Sequence, residues 1–326
     1  MDEIVDFTNS LRSKMKTNLV AQSLQFKIPI DARKECNVCS YSLDSLENVE
    51  HSSVNCNVRA FKEEYFRVWR CPICHTIHCL DVVDLEHYYS KYPVSKAMLT
   101  WISRLVFEKQ YSRLSRFGID HSHLILDYGC GVNGQFVKFM LEKGFLNCFG
   151  YDPYAPLSGF GNPLPLTEHL YDFVVLQDVI EHVENPVDAL RTIDDVVKPG
   201  SYILVGTPNA ETIDLYRPEI PEFVNALHAP FHLHIYTRKA IEDLAFDIGW
   251  EPVMYFDRSI EDTMIPGFNT RTWNFYTKHI GDNTFDSIYE DINLIKALNS
   301  YRFIYYSFLG YWLSYRVNMA ILFRKL

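Results

Sequence analysis

Four cysteines form two closely spaced pairs near the start of the sequence. Two residues separate Cys36 from Cys39, and two separate Cys71 from Cys74. A tight turn over such a pair points two sulfurs at one ion, and two pairs complete the tetrahedral thiolate site that structural zinc prefers. A redox-active pair or a chance repetition is the alternative. The pattern predicts zinc, and four nearby residues are spare ligands, the histidines being interpreted as exposed loop residues: Cys56, Cys79, His75 and His78.

A glycine-rich turn and a later aspartate indicate a nucleotide-like ligand. Asp127, Gly129 and Gly131 follow one short apolar run, and Asp152 follows the next. Glycines let the backbone turn sharply and approach a ligand that a Cβ would obstruct. An aspartate just past the second strand can accept hydrogen bonds from the ribose hydroxyls. The spacing D-x-G-x-G differs from that of dinucleotide-binding loops, so the turn alone does not identify the ligand.

Histidines further along the chain are candidate general bases. They are His182, His228, His232 and His234. A structural hydrogen bond is the alternative role for each of them. Asp178, Glu181 and His182 are spaced i, i+3, i+4, so with His232 or His234 they would offer two carboxylates and two imidazoles to a divalent metal. For Asp178 alone, the alternative to a site role is a helix N-cap.

The elements that must position these residues alternate between strand and helix. Short apolar runs predict strands at residues 123–127, 147–151, 171–178, 201–206, 250–256 and 317–323. Helical spacing predicts helices over 84–118, 135–143, Val179 to about Val197, and 237–248. This alternation is typical of a parallel α/β sheet whose ligands bind at the carboxyl ends of the strands.

Four segments in order identify the family that the sequence resembles. LDYGCG, GYDPY, YDFVVLQDVIEHVENP and VKPGSYILVGTPN are similar to the successive motifs of class I S-adenosylmethionine-dependent methyltransferases, over roughly residues 124–256. The resemblance implies a Rossmann-like sheet and S-adenosylmethionine as cofactor. The implied cofactor-binding residues are Asp127, Gly129, Cys130, Gly131, Asp152, Pro153, Gln177 and Asp178. The predicted catalytic residues at the same sheet edge are Asp178, His182, His232 and His234.

One segment departs from the family pattern. Only about twenty residues separate Asp152 from Phe173, and they are rich in proline and glycine. Family members usually place a helix and a third strand there. We therefore expect a truncated third strand, with the adenine resting on a loop against Leu157 or Leu166.

The N-terminal cysteines resemble those of a subgroup of the family. Paired CxxC motifs followed by Tyr88-Tyr-Ser-Lys-Tyr-Pro93 are similar to zinc-bearing methyltransferases of deoxysugar and natural-product pathways, which usually carry a longer C-terminal domain. The run from Asp178 to His182 also resembles the magnesium site of small-RNA 3′-terminal 2′-O-methyltransferases, although similar runs occur in metal-free relatives. A sugar, sugar nucleotide or natural-product intermediate is the acceptor that the first resemblance implies.

The predicted architecture has two parts and a cap. Residues 1–95 form an N-terminal segment with a zinc-ribbon-like module, and residues 96–326 form the methyltransferase domain. Within that domain, residues 258–316 are interpreted as a helical, aromatic-rich insertion between the last two strands, covering the acceptor pocket or forming a dimer surface. Its aromatic stripe is interpreted as core.

The composition and net charge of the chain limit the classes of partner that it can bind. The net charge of −10 argues against nucleic acid, and no segment of about 20 uncharged apolar residues predicts a membrane span. We expect a cytoplasmic enzyme with a small-molecule acceptor, and the sequence leaves a homo-oligomer open. The alternatives are a methyltransferase of RNA or protein and a non-catalytic binding protein that retains the fold.

Overall fold

The computed structural model describes residues 32–93, 98–153, 155 and 159–326. Within it, residues 33–326 form one compact unit. Leu157 and most of the chain before Arg33, both included in the predictions above, lie outside the described residues. Among the residues that are described, no helix combines the length and the apolar character needed to cross a bilayer.

A six-stranded mixed sheet is the centre of the molecule. The strands of this sheet are β4 (Ile125–Tyr128), β5 (Cys148–Tyr151), β6 (Tyr171–Gln177), β7 (Val197–Pro208), β9 (Trp250–Phe256) and β10 (Asn318–Lys325). Their spatial order is β5-β4-β6-β7-β10-β9, with β4 to β7 parallel and β10 antiparallel to both of its neighbours. This order confirms the predicted α/β fold, and each of these strands overlaps a predicted one.

Helices cover both faces of the sheet because alternate strand residues are apolar on each face. The helices are α1 (Leu85–Tyr89), α2 (Trp101–Ser115), α3 (Gln135–Glu142), α4 (Leu164–Glu168), α5 (Pro186–Asp194), α6 (Pro221–Leu227), α7 (Arg238–Phe246), α8 (Thr270–His279), α9 (Leu294–Leu298) and α10 (Tyr301–Leu313). Leu126 and Val174 face a core shared with α5 and α7, whereas Ile125 and Phe173 face one shared with α2 and α3. The carboxyl ends of β4, β5 and β6 therefore meet at one edge.

Two predicted helices differ from those observed. The stretch 84–118 contains α1 and α2 rather than one helix. The prediction of a helix from Val179 is wrong, because Ile180–His182 form a single 3₁₀ turn and α5 begins only at Pro186. The Asn185 side chain caps α5 by accepting from the Asp188 amide. Asp178 is thus not the N-cap of this helix.

The segment between β5 and β6 contains no strand among its described residues. Only the short helix α4 lies there. The expected loss of the third strand is therefore confirmed for the part of this segment that the structure describes. Leu166, one of the two predicted adenine neighbours, packs partly buried against the core on the α5 side.

A second sheet joins the N-terminal residues to a later part of the chain. Its order is β1 (His51–Asn55), β2 (Tyr65–Arg70), β3 (Ile77–Cys79) and β8 (His234–Ile235), all antiparallel. The sequence did not predict β8, which is two residues long. Its pairing with β3 builds the segment before α7 into the same sheet as the cysteine-bearing strands.

The insertion between β9 and β10 is helical, as the sequence predicts. It contains α8, α9 and α10, and Asn269 ties α10 to α8 by donating to the Tyr306 and Ser307 carbonyls. The interpretation of its aromatic residues as core is wrong for much of α10. Four of its aromatic side chains are largely exposed: Tyr301, Tyr305, Phe308 and Trp312.

Candidate functional site

The four predicted zinc ligands converge at the base of the second sheet. The sulfurs of Cys36 and Cys74 are 3.3 Å apart, and those of Cys39 and Cys71 are 3.5 Å apart. All four sulfurs lie within 4.8 Å of one another. Two thiolates on one tetrahedral zinc, at about 2.3 Å from the ion, are about 3.8 Å apart, so the donor set fits zinc.

The backbone forms two matching turns around these cysteines. The Ser40 amide donates to the Cys36 carbonyl, and the His75 amide donates to the Cys71 carbonyl. Ser40 and His75 both adopt positive φ angles, of 57° and 61°. The spare residues lie outside the cluster, and the interpretation of His78 as an exposed loop residue is wrong, because it is buried in β3.

The predicted cofactor loop lies between the ends of β4 and β5. Gly129 and Gly131 have φ angles of 79° and 66°, which favour glycine. The Gly129 amide donates to the Tyr151 carbonyl at 2.7 Å, and the Gly131 amide donates to Asp152 Oδ2 at 2.8 Å. The loop is thereby fixed against the end of β5, where the structure brings Asp127 and Asp152 together.

Burial changes the charge of the acid at the end of β4. Asp127 is almost fully buried, and desolvation together with the negative charge of Asp152 raises its pKa to about 7. Nearby, Cys130 is half-buried against the core on the α3 side and Pro153 is exposed. A cationic ligand nearby would stabilise the ionised form of this buried carboxyl group.

Gln177 and Asp178 end β6 in a strained turn. Asp178 has a φ angle of 55°, unusual for a residue other than glycine, and its amide donates to the Gly206 carbonyl at 2.9 Å. Gln177 Nε2 donates to Asp178 Oδ1 at 3.0 Å. Desolvation and the negative charge of Glu261, in the cap, raise the pKa of Asp178 to about 7. Strain of this kind at a sheet edge is typical of functional sites.

The histidines separate into two groups. The rings of His182 and His232 lie edge to face with centroids 4.7 Å apart, next to Glu181. His234 instead lies in β8, where its Nδ1 is 2.8 Å from Nδ1 of His78. The structure therefore brings together two of the three predicted catalytic histidines and places His234 beside the cysteine-bearing sheet.

His228 has partners on both ring nitrogens. Nδ1 lies 2.5 Å from Asn57 Oδ1, and Nε2 lies 2.9 Å from the Tyr92 hydroxyl. Burial lowers the pKa of His228 to about 3 and that of His182 to about 4. These rings are neutral at physiological pH, which a general base must be.

Several residues at this edge were not predicted from the sequence. Thr207, at the end of β7, donates to Glu181, and the Tyr89 hydroxyl contacts His182. Glu261 lies in the cap, so no local pattern connects it with Asp178. Tyr89 and Tyr92 belong to the tyrosine-rich stretch noted above, which was the available signal for them.

Residues 96–254 match a family model described as a methyltransferase domain. No curated protein matches. Solved structures with a similar fold include an S-adenosylmethionine-dependent methyltransferase from Archaeoglobus fulgidus, at 18% identity and a TM-score of 0.39, covering 67% of this chain and 94% of that one.

A second similar structure is an S-adenosylmethionine-dependent methyltransferase from Mesorhizobium loti, at 12% identity and a TM-score of 0.40, covering 67% of this chain and 98% of that one. The family match covers β4 to β7 and the sheet edge that carries Asp127, Asp152 and Asp178. Residues 96–254 are thus a methyltransferase domain, and the protein is a methyltransferase.

Proposed function

We propose that the protein transfers the methyl group of S-adenosylmethionine to oxygen or carbon of a small molecule, namely a sugar, a sugar nucleotide or a natural-product intermediate. The observation that supports S-adenosylmethionine as the cofactor is the loop from Asp127 to Gly131. The Gly131 amide fixes this loop by donating a 2.8 Å hydrogen bond to Asp152. Asp152 would bind the ribose, and the buried Asp127 carboxyl would face the cationic part of the cofactor.

Methyl transfer is an in-line displacement at a carbon that the positive sulfur already activates. The acceptor atom bonds to the methyl carbon while the carbon–sulfur bond breaks and its electron pair returns to sulfur. The enzyme must position the two reactants and remove a proton from a hydroxyl or carbon acceptor. Asp178, His182 and His232 are the proposed groups for this, because Asp178 and His182 follow β6 at the sheet edge and the His232 ring packs against that of His182.

The charge around this edge supports a small acceptor over RNA. The exposed side chains at this edge include Asp178 and Glu261, and the net charge of the chain is −10. A polyanion would be repelled by such a surface. A protein acceptor remains the second proposal, with the exposed aromatic side chains of α10 as the observation that favours it.

We also propose that Cys36, Cys39, Cys71 and Cys74 bind a structural zinc ion. The convergence of the four sulfurs supports this, and a sheet this small gains much of its folding free energy from a metal. None of the eight cysteines, all of which the structure describes, forms a disulfide, which favours a cytoplasmic location. We further propose two domains, residues 1–95 and 96–326, with residues 258–316 as the cap. We also propose that the protein forms a homo-oligomer.

Calorimetric titration with S-adenosylhomocysteine tests the cofactor site. We expect micromolar binding by the zinc-loaded protein and at least tenfold weaker binding by Asp152→Asn, because asparagine can still accept from the Gly131 amide but loses the charge that favours ribose hydroxyls. Asp44→Asn, at an exposed position in the N-terminal segment, is the matched control and should bind normally. Absence of binding by a folded wild-type sample contradicts the proposal. Acceptors are then screened with sugar nucleotides.

A further inference from the structure

Three side chains after β6 and before β8 bring potential metal ligands to one point. Glu181 and His182 belong to the 3₁₀ turn Ile180–His182, and His232 belongs to the loop that precedes β8. One ligand atom from each lies within 4.8 Å of the others. The Leu233 amide donates to the Glu181 carbonyl at 2.8 Å, which fixes the loop against the turn.

The Glu181 carboxylate is held at one oxygen and unpaired at the other. Its Oε2 accepts a hydrogen bond from the Thr207 hydroxyl at 3.0 Å. Its Oε1 is buried and has no hydrogen-bond partner among the described residues, and the side chain is fully buried. Burial of a carboxylate oxygen without a partner costs free energy, and a bound proton or cation would offset that cost.

Both histidines are oriented by backbone carbonyls. His182 Nδ1 lies 3.0 Å from the Phe231 carbonyl oxygen, and His232 Nδ1 lies 2.8 Å from the Ala226 carbonyl oxygen. A carbonyl only accepts, so each Nδ1 carries the proton and each neutral ring has its lone pair on Nε2. Metal-binding histidines are held by the same arrangement, in which the second nitrogen donates to a carbonyl.

The separation of these atoms fits one shared ion. His232 Nε2 lies 4.0 Å from Glu181 Oε1, which is too long for a hydrogen bond. Ligands at about 2.1 Å from a tetrahedral ion are about 3.4 Å apart, so His232 Nε2 and Glu181 Oε1 need approach by only about half an ångström. The ligand atom of His182 lies within 4.8 Å of the other two. His182 and His232 are both partly exposed, so an ion can reach them.

We propose that Glu181, His182 and His232 bind a divalent transition-metal ion, of the class of zinc, manganese, cobalt or iron(II). Two imidazoles and one carboxylate favour this class over magnesium or calcium, which prefer oxygen ligands throughout. Three protein ligands leave coordination positions open for an exogenous ligand.

The site deepens the function proposed above, on which its catalytic role rests. As metal ligands, His182 and His232 act on the acceptor proton through the ion and not as bases themselves. An open position next to Asp178 suits an acceptor hydroxyl. The bound hydroxyl loses its proton to water more readily, its oxygen attacks the methyl carbon, and the carbon–sulfur bond breaks with its electron pair going to sulfur. The inference therefore favours oxygen over carbon as the acceptor atom.

Electron paramagnetic resonance of Mn²⁺ tests the site without requiring activity. The full chain is first loaded with zinc at its cysteines, since thiolates select zinc over manganese. On titration with Mn²⁺, we expect the signal of the free ion to fall by one equivalent per chain. Glu181→Gln and His232→Gln should each weaken Mn²⁺ binding at least tenfold, and Glu184→Gln, at an exposed carboxylate three residues on, should leave it unchanged.

Two results would overturn the proposal. One is a folded wild-type protein that leaves all Mn²⁺ free and never holds more than one zinc ion per chain. The other is a Glu184→Gln variant that loses Mn²⁺ as Glu181→Gln does. Titration with S-adenosylhomocysteine in the same samples separates the two hypotheses, because cofactor binding without metal refutes only the metal site, and metal binding without cofactor binding refutes only the proposed function.

Discussion

Gly129 shows how one residue controls the approach to the cofactor loop. It combines a φ angle of 79° with close contact, since a Cβ there would lie 2.3 Å from Cγ2 of Val179. Gly118 has a similar φ angle of 82° but no heavy atom within 4 Å of the same position. Alanine substitutions at the two glycines therefore distinguish the cost of backbone strain from the cost of steric conflict.

We expect Gly118→Ala to lower the free energy of unfolding by about 1–2 kcal/mol through strain alone. Gly129→Ala should cost about 2–5 kcal/mol, because overpacking against Val179 adds to the strain. Urea unfolding measures both. Binding of S-adenosylhomocysteine should weaken only in Gly129→Ala, and an equal cost for both variants would contradict the role of Val179.

The burial of Asp127 predicts how the free energy of unfolding depends on pH. Its pKa is raised to about 7 in the folded chain, whereas an unfolded aspartate titrates near 3.9. Between these values the folded state holds the extra proton. This residue therefore destabilises the fold progressively as the pH rises from about 4 to 7.

Asp127→Asn should remove that penalty from the cofactor-free protein. We expect the variant to be more stable than the wild type by about 2–4 kcal/mol at pH 8, with a smaller difference at pH 5. Urea unfolding at the two pH values provides the comparison. The exposed Asp44→Asn should show no such change with pH, and a variant less stable than the wild type at pH 8 would refute the argument.

At the residue scale, sequence spacing predicted which residues lie together. The four cysteines converge, and the turn from Asp127 to Gly131 lies beside Asp152. Spacing did not distinguish His232 from His234, which are two residues apart. The difference arises because His234 is part of a strand pairing with β3, formed across more than 150 residues of sequence.

At the scale of elements, the start of α7 connects two parts of the fold. The Thr237 hydroxyl accepts from the Ala240 amide at 3.1 Å, which caps the helix, and lies 3.2 Å from the Cys74 carbonyl oxygen, to which it donates. One side chain therefore holds both the helix and the second cysteine turn.

Thr237→Ala should lower the free energy of unfolding by about 1–3 kcal/mol, since it removes a cap and leaves a buried amide without its partner. Chemical denaturation gives this value directly. Thr192→Ala, at an exposed position inside α5, is the matched control and should change stability by less than about 0.5 kcal/mol. Similar losses in the two variants would show that the contact with Cys74 contributes nothing.

The elements that periodicity predicted best are the strands of the central sheet. They are buried on both faces, so they appear in the sequence as continuous apolar runs. The turn at Ile180–His182 was mistaken for helix because its residues continue the spacing of α5. Tertiary contacts override that local pattern, through the bonds of Glu181 to Thr207 and Leu233.

At the scale of the whole molecule, the second sheet makes the cysteine cluster a structural partner of the methyltransferase domain. Strand β3 pairs with β8, and the buried His78 and His234 meet between them. A core cluster also combines residues of β1 and β2 with residues of α6 and the loop around Phe231. Disturbance of the cysteine turns is therefore transmitted to the loop that carries His232.

Loss of the proposed zinc ion should accordingly lower the free energy of unfolding of the whole chain. We expect Cys71→Ser to shift thermal unfolding down by at least about 5 °C in one cooperative transition, followed by circular dichroism, with zinc content measured in parallel. Cys56→Ala, at a buried cysteine outside the cluster, should retain zinc. Two separate transitions, only one of them sensitive to zinc, would contradict the coupling.

At this scale, parts of the fold depend on contacts that the local sequence does not encode. The α/β order, the missing third strand and the helical cap all follow from local composition. The position of Glu261 near Asp178 and the pairing of β3 with β8 depend on contacts between distant segments that no local pattern records. The exposed aromatic side chains of α10 likewise could not be distinguished from core, because burial is a property of neighbours.

The pairing of β3 with β8 also limits how this protein can diverge. A recombination event near residue 95 that replaced the N-terminal segment would remove β3 and would leave the backbone groups of β8 that pair with it open to association with other chains. Such chimeras should survive only when the incoming segment brings a strand equivalent to β3. The N-terminal residues and the loop carrying His232 are therefore expected to be inherited as a single unit, and a change of acceptor is more readily reached by varying the cap, which lies outside this sheet.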